Sequence, residues 1–197
     1  MGVFLFLERV MKYSKDISEL IETKVSSELL YDGKVIRVFR DVICLPNGKE
    51  ALREYNRHVG AVCIIPITDN GDVICVRQYR YAVGRDILEI PAGKLDFPGE
   101  DPLHAALREL REETGATCEK ITYLGEYLGS PAILDECIHM YMAEDLTFGD
   151  TDFDDDEFIE VVKIPLVKMV DMVVRGEISD GKTQAAVMKA YHIRGNR

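Results

Sequence analysis

The sequence predicts an α/β domain that is rich in strands and has one prominent internal helix and a helical C-terminal region. Several segments alternate apolar and polar residues or run as continuous β-branched stretches, as strands do. Residues 102–114 instead repeat apolar residues at the period of an α-helix. Two further helical patterns cover residues 165–175 and 182–193. Strands before and after a central helix are typical of a mixed α/β fold.

One domain is predicted. The chain has 197 residues, of which 47% are hydrophobic, and this suffices for a single sizeable core. Residues 1–30 are expected to form an N-terminal extension, because 16–30 are polar and only weakly amphipathic. Residues 31–197 are expected to form the domain itself.

The first two predicted strands form a hairpin. The segments on either side of the turn sequence PNGK alternate apolar and polar residues, and they predict an antiparallel hairpin over residues 34–57. The continuous apolar run 60–67 has the composition of a strand buried on both faces. Four further strands are expected at 73–81, 86–93, 118–129 and 136–144.

The helix at 102–114 has clear signals at both ends. Asp101 is a suitable N-cap, and Pro102 occupies the first helical position. Gly115 suits the C-terminal end. Leu103 and Leu110 belong to the apolar stripe that must face the core.

Three glutamates share one edge of this helix. Glu109 and Glu113 are four residues apart, and Glu112 lies beside them. Like charges at this spacing cost an isolated helix roughly a few tenths of a kcal/mol per pair. Taken alone, such a row is explained by a solvated acidic edge. The alternative is a site for Mg²⁺, which prefers carboxylate oxygens.

Charge and composition exclude several classes of partner. The formal net charge of −11 repels both nucleic acid and anionic membrane surfaces. The apolar run at the N-terminus is interrupted by Glu8, too early for a signal peptide or a membrane span. The five cysteines contain no C-x-x-C pair and are expected to be buried and reduced, as in a cytoplasmic protein. The four histidines are scattered and are expected to be structural.

The residues before the helix extend the carboxylate row into a longer pattern. From Gly93 to Ala116 the sequence reads G-x6-E-x7-R-E-L-R-E-E-T-G-A. This resembles the Nudix box, G-x5-E-x7-R-E-U-x-E-E-x-G-U with U apolar, and its second half matches at every defined position. The first spacing is one residue longer, between Gly93 and Glu100.

The resemblance implies a Nudix-type α/β/α sandwich with a mixed β-sheet, in which the N-terminal antiparallel β-hairpin region serves a homodimer. It also implies the hydrolysis of nucleoside diphosphates linked to another group, with Mg²⁺ or Mn²⁺ as the cofactor. By position, Glu109 and Glu113 are the main metal ligands and Glu112 is a further one, directly or through water. The carbonyl of Ala92 is another implied ligand, and Arg108 orients the glutamates by ion pairing.

Segments outside the box resemble the ADP-ribose pyrophosphatase branch, over roughly residues 30–190. They are VRQYRYAVGRDILEIPAGK, GSPAILDECIHMYMAEDL and DDDEFIEVVKIPL. The branch implies hydrolysis of ADP-ribose to AMP and ribose 5-phosphate. The implied substrate-binding residues are Arg80, Arg57, Glu89 and Asp135. The loop that holds Asp135 departs from the branch, because Ala132 replaces the usual glycine.

In the acidic loop 148–158 the branch implies a glutamate, here Glu157, that acts as general base or as an extra metal ligand. Glu157 is expected to be the base, with Asp155 and Asp156 as alternatives. Glu113, Glu157 and Arg108 are therefore the expected catalytic residues.

Two other functions stay open. One is a Nudix hydrolase of another nucleotide sugar, such as GDP-mannose, or of a nucleoside triphosphate. The other is a non-catalytic Nudix protein that senses a nucleotide, although the complete set of carboxylates argues against it.

Overall fold

The computed structural model describes residues 17–153 and 158–195. The chain divides into two compact units. The first consists of Met1–His58 with Ala132–Leu134, and the second of Val59–Pro131 with Asp135–Arg197. The boundary expected after residue 30 stays a prediction.

The first unit is built on an antiparallel sheet of three strands in the order β1-β2-β3. These strands are β1 (Thr23–Asp32), β2 (Arg37–Cys44) and β3 (Glu50–Arg57), and a short 3-10 turn precedes them at Ile17–Leu20. Strands β2 and β3 form the predicted hairpin. Strand β1 was not predicted, because all ten of its residues are exposed and they show no alternation of apolar and polar positions.

The second unit holds two sheets. The first is mixed, in the order β7-β4-β9-β8, with β4 parallel to β9 and the other pairs antiparallel. Its strands are β4 (Ala61–Pro66), β7 (Ala92–Lys94), β8 (Ala116–Tyr127) and β9 (Ile138–Phe148). The second sheet is antiparallel, in the order β10-β5-β6. Its strands are β5 (Asp72–Arg80), β6 (Arg85–Glu89) and β10 (Ile159–Pro165).

The prediction of a single strand at 86–93 is therefore wrong. The segment forms two strands, β6 and β7, which belong to different sheets. Ile90 and Pro91 lie between them. Because Pro91 has no N–H to donate, it cannot continue the β6 ladder. Its carbonyl instead accepts a hydrogen bond from the N–H of Ile64 at 2.9 Å.

The described residues form three α-helices, α1 (Pro102–Thr114), α2 (Leu166–Val174) and α3 (Gly181–Gly195). Helices α1 and α3 pack against the mixed sheet, and α2 packs against α3 and β10. All six residues of β4 are buried, as predicted for a strand that is covered on both faces. Val62 and Ile64 pack in one core cluster with Leu110 of α1. Cys63 and Ile65 pack in a second cluster with buried residues of β5, α2 and α3. The predicted α/β/α sandwich is thus confirmed.

Among the described residues, no helix combines the length and the apolar composition needed to cross a bilayer. The five cysteines are free thiols. Cys63 and Cys75 are buried as expected, whereas Cys44, Cys118 and Cys137 are half-buried.

Candidate active site on helix α1 and strands β6 and β7

Local sequence signals fix both ends of α1. The side chain of Asp101 accepts a hydrogen bond from the N–H of Leu103 at 2.9 Å, so Asp101 is the N-cap as predicted. Gly115 adopts a left-handed conformation with φ of 66° and ends the helix. The glutamates between these ends are therefore held on a rigid element.

Two glutamates of α1 are buried against β7. Glu113 is 2% exposed, and its Oε2 accepts a hydrogen bond from the N–H of Ala92 at 3.1 Å. Glu109 is 8% exposed and lies so close to Gly93 that a Cβ at position 93 would overlap its carboxylate. The first glycine of the motif is thus required by the close approach of the β7 backbone to a helix carboxylate.

Arg108 joins the carboxylates of this region. Its Nη1 donates to Glu109 Oε1 at 2.8 Å and to Glu112 Oε2 at 3.1 Å. Its Nη2 donates to the carbonyl of Lys94 at 3.3 Å and lies 3.4 Å from Asp96 Oδ1. Burial lowers the pKa of Arg108, but the carboxylates around it outweigh that effect and the net shift is upward. Arg108 therefore stays charged and fixes the side chains of Glu109 and Glu112.

The loop between Gly93 and Glu100, which is one residue longer than in the Nudix box, is held by hydrogen bonds among its own residues. Glu100 Oε2 accepts a hydrogen bond from the N–H of Asp96 at 2.7 Å, and the N–H of Glu100 donates to the carbonyl of Phe97 at 3.2 Å. Gly99 supports this turn with φ of 87°. The loop lies directly before α1, which begins after its predicted N-cap, Asp101.

A second polar cluster lies at the end of β6, around Glu89. Glu89 is 3% exposed and accepts hydrogen bonds from Arg80 Nε at 2.7 Å and from Arg80 Nη2 at 2.9 Å. Lys182 Nζ donates to the other side of this cluster, to Glu89 Oε2 and to Asp180 Oδ1. Asp180 Oδ2 also accepts from the N–H of Thr183 at 2.9 Å, as an N-cap of α3 would.

The charges of this cluster support one another. Burial alone would raise the pKa of Glu89, but hydrogen bonds from Arg80 and the charge of Lys182 outweigh it and lower the pKa below its ordinary value. Burial would lower the pKa of Lys182, but Asp180 and Glu89 raise it instead. At neutral pH Glu89 is therefore an anion and Lys182 is a cation.

The two clusters are parts of one site. The pKa of Arg80 is raised mainly by its hydrogen bond to Glu89, and the negative charge of Glu113 raises it further. The connecting residues are anchored at both ends, since the N–H of Ile90 donates to Thr183 Oγ1 at 2.9 Å and Ala92 bonds Glu113. A guanidinium therefore lies in the electrostatic field of the α1 carboxylates.

The other predicted site residues are Arg57, Asp135 and the carboxylates of the acidic loop. Arg57 belongs to the first unit, where its guanidinium stands 4.2 Å from the centroid of the Phe39 ring and donates to Tyr55 Oη at 2.7 Å. Asp135 is exposed in the loop between β8 and β9. Glu157, Asp155 and Asp156 lie outside the described residues.

The carboxylate oxygens of Glu109, Glu112 and Glu113 are not all within 4.8 Å of one another. In the part of the chain that the structure describes, only Glu126, Cys137 and His139 bring three possible ligand atoms within 4.8 Å of one another. Arg108 Nη1 instead contacts Glu109 and Glu112 together.

Sequence reasoning missed Lys182 and Asp180. The segment GEISDGKT was assigned only as a break between two helices. One signal was present, because a lysine in the first turn of a helix is opposed by the helix dipole and needs a specific anionic partner. The partner, Glu89, is 93 residues away in sequence, so its identity could not be predicted.

Comparison with known proteins places this arrangement in a family. The model of the NUDIX domain matches residues 57–183. An ADP-ribose pyrophosphatase of Bacillus subtilis (strain 168) is 40% identical over 173 residues, which cover 87% of this chain and 93% of the relative. A methanol dehydrogenase activator of Bacillus methanolicus is 40% identical over 174 residues, which cover 87% of this chain and 94% of the relative.

The fold agrees with these matches. A crystal structure of an ADP compounds hydrolase superposes with a TM-score of 0.79 at 25% sequence identity. The match covers 90% of this chain and 97% of that chain. The motif on α1, the domain match and the two long alignments together show that the chain belongs to the Nudix family.

Proposed function

We propose that this chain hydrolyses the diphosphate bond of ADP-ribose to AMP and ribose 5-phosphate. The observation that carries the proposal is the burial of Glu109 and Glu113 against β7, with Arg80 in the field of Glu113. A polyanionic diphosphate needs cationic groups beside it, and a chain of net charge −11 must supply them locally. The names of the Bacillus subtilis relative and of the superposed hydrolase support ADP-ribose as the substrate.

The site fits a divalent cation that prefers oxygen ligands, and Mg²⁺ or Mn²⁺ is proposed. Glu109 and Glu113, with Glu112 and the carbonyl of Ala92, offer only oxygen donors. The close approach of the β7 backbone to Glu109, which a side chain at Gly93 would block, brings a carboxylate beside the strand that carries Ala92. Such a cation offsets charge on the diphosphate oxygens and lowers the pKa of a bound water.

Arg80 is proposed to bind the diphosphate. Its bonds to Glu89 use Nε and Nη2, which fixes the plane of the guanidinium. Nη1 carries two further N–H groups, which suit two non-bridging phosphate oxygens. Glu89 therefore acts in substrate binding through Arg80, and Lys182 keeps Glu89 ionised.

Glu157 is proposed as the general base, which takes a proton from the attacking water. Support comes from the described residues just before it. The N–H of Asp152 donates to the carbonyl of Glu112 at 3.0 Å, and the N–H of Gly149 donates to the carbonyl of Gly115 at 2.7 Å. The acidic loop therefore starts at the C-terminal end of the helix that carries the glutamates.

Arg57 and Asp135 are proposed as further substrate contacts, Asp135 on the side of the terminal ribose.

A homodimer is proposed as well. Its support is β1, whose ten residues are all exposed and include Val25, Leu29 and Tyr31. An exposed apolar strand at a sheet edge favours pairing with another chain. A cytoplasmic location is proposed from the free thiols, which persist in reducing compartments.

A substrate panel tests the proposal. ADP-ribose, GDP-mannose and ATP are incubated with the chain and Mg²⁺, and products are separated by ion-exchange chromatography. The proposal expects AMP and ribose 5-phosphate in equal amounts and the highest kcat/KM for ADP-ribose. A higher kcat/KM for GDP-mannose or ATP would reject ADP-ribose as the preferred substrate and retain the hydrolysis of a phosphate anhydride bond. Binding of ADP-ribose without hydrolysis would contradict the proposal and favour a nucleotide sensor.

A further inference from the structure

A group of three metal-ligand side chains lies on the β8–β9 hairpin, outside the carboxylates of α1. Glu126 of β8 pairs directly with His139 of β9 in the antiparallel register. Cys137 stands two residues before His139, and residues two apart in extended chain point to the same side. One ligand atom from each of these three residues lies within 4.8 Å of the other two.

The donor types distinguish this group from the site on α1. The α1 site offers oxygen ligands only, whereas this group offers a thiol, an imidazole and a carboxylate. That mixture suits Zn²⁺ and similar borderline cations and does not suit Mg²⁺. With metal–ligand bonds of 2.0–2.3 Å, the ligand atoms of a tetrahedral zinc site lie about 3.5 Å apart. Rotation of the exposed Glu126 side chain can therefore close the site, and water can take the fourth position.

A neighbouring tyrosine orients the histidine. Tyr123 Oη lies 3.1 Å from His139 Nδ1. Tyr123 is itself packed against Tyr141, with ring centroids 5.2 Å apart. When Nδ1–H donates to the tyrosine oxygen, the lone pair for a metal is on Nε2. A hydrogen bond to the other ring nitrogen is the usual outer partner of a metal-binding histidine.

The thiol of Cys137 hydrogen-bonds to Glu126. Burial first, and then the charge of Glu126, raise the pKa of this thiol above its ordinary value. A bound divalent cation would take the place of the thiol proton, which passes to solvent, and would leave a metal–thiolate bond.

We propose that Glu126, Cys137 and His139 form a second metal site, which binds a zinc-class cation with water as the fourth ligand. The site was not visible in the sequence, because Glu126 lies on β8 whereas His139 lies on β9 and Cys137 just before it. No two of these residues have the linear spacing of a zinc motif. The expectation that His139 is only structural is replaced by this proposal.

Co²⁺ is the probe that tests the proposal, because a cobalt–thiolate bond gives a charge-transfer band in the near ultraviolet. The full chain is titrated with Co²⁺ in excess Mg²⁺, which occupies the carboxylate site. The proposal expects a band that saturates at one Co²⁺ per chain and that added Zn²⁺ removes. The variant Cys137→Ser should lose the band, and the control Cys118→Ser, on the same hairpin, should keep it.

A second measurement covers the other ligands. In calorimetric titrations with Zn²⁺, Glu126→Gln should weaken binding by about 10-fold or more. Hydrolysis with Mg²⁺ should be unchanged in Cys137→Ser, so the site and the proposed activity are tested separately. Absence of the band in the wild-type chain would overturn the proposal, and so would an unchanged band in Cys137→Ser.

Discussion

At the scale of single residues, Glu89 shows how a buried charge is tolerated. Its carboxylate is 3% exposed, and removal from water would by itself favour the neutral form. Arg80 and Lys182 reverse that preference by hydrogen bonds and charge. The result is an ionised carboxylate that holds a guanidinium in a fixed orientation. Glu89 thus serves the site through the geometry of Arg80.

The variant Glu89→Gln should be less stable, with a defined dependence on pH. Removing the charge leaves the buried Lys182 with Asp180 as its remaining anionic partner in this cluster, and loss of one charge from a buried pair costs up to about 3 kcal/mol. The bond to Arg80 adds little to that figure, because the Arg80 side chain is 42% exposed. Since the folded pKa of Glu89 is lowered, its contribution is complete above the unfolded pKa of about 4.3 and is lost at lower pH.

Urea denaturation from pH 3 to pH 7 checks this prediction. The difference in unfolding free energy between wild type and Glu89→Gln should be constant above about pH 5 and shrink below about pH 4. Glu160→Gln is the control, because Glu160 is exposed on β10 and lies 3.9 Å from Arg77. A difference that grows as the pH falls would contradict the assignment of the charged state.

Site residues could be predicted where a sequence motif names them. They could not be predicted where only the packing of distant segments brings them to the site. Arg80 and Glu89 were assigned to the site from their sequence context. Their contact follows from the antiparallel pairing of β5 with β6, which the structure shows. Lys182 could not be matched with Glu89, because only the packing of α3 brings that lysine to the end of β6.

At the scale of elements, the contact between β7 and α1 builds the site. Gly93 allows the β7 backbone to approach Glu109, and Ala92 holds Glu113 by its N–H. The expected strand at 86–93 concealed this arrangement, because its residues serve two sheets. Sequence gave no sign of the change other than Pro91. Strand β1 was missed for a different reason, namely that no face of it is buried.

The variant Gly93→Ala tests the contact between these elements. Its Cβ would overlap the Glu109 carboxylate, so that side chain or β7 must move. We expect the concentration of Mg²⁺ that gives half-maximal hydrolysis to rise at least about 10-fold. Gly129→Ala is the control, because a Cβ there would meet its nearest atom, Tyr127 Cε1, at an ordinary 3.5 Å. Equal metal dependence in both variants would show that the close approach has no role.

At the scale of the whole molecule, the exposed strand β1 bears on assembly. Three layers enclose the core of the second unit, as the sequence predicted. The first unit instead exposes apolar side chains along β1, which a single chain in water has no reason to retain. A second copy of the chain is the partner that the proposed homodimer supplies.

The variant Leu29→Glu should separate the proposed dimer. Leu29 is 48% exposed, and a carboxylate there would have to be desolvated at the interface. We expect at least about a 10-fold weaker dimer, since loss of one buried leucine alone is worth about 1.5–3 kcal/mol. Sedimentation velocity over a range of concentrations measures this. Lys24→Glu, also on exposed β1, is the charge control. A monomeric wild-type chain would refute the dimer.

The measurement that tests the central claim most directly is the release of AMP from ADP-ribose, with and without Mg²⁺. Wild type is compared with Glu113→Gln and with the control Glu119→Gln, whose side chain is exposed on β8. We expect release that requires Mg²⁺, falls at least about 100-fold in Glu113→Gln and is unchanged in Glu119→Gln. Release that persists without any divalent metal, or that survives in Glu113→Gln, would contradict a metal-dependent site on α1.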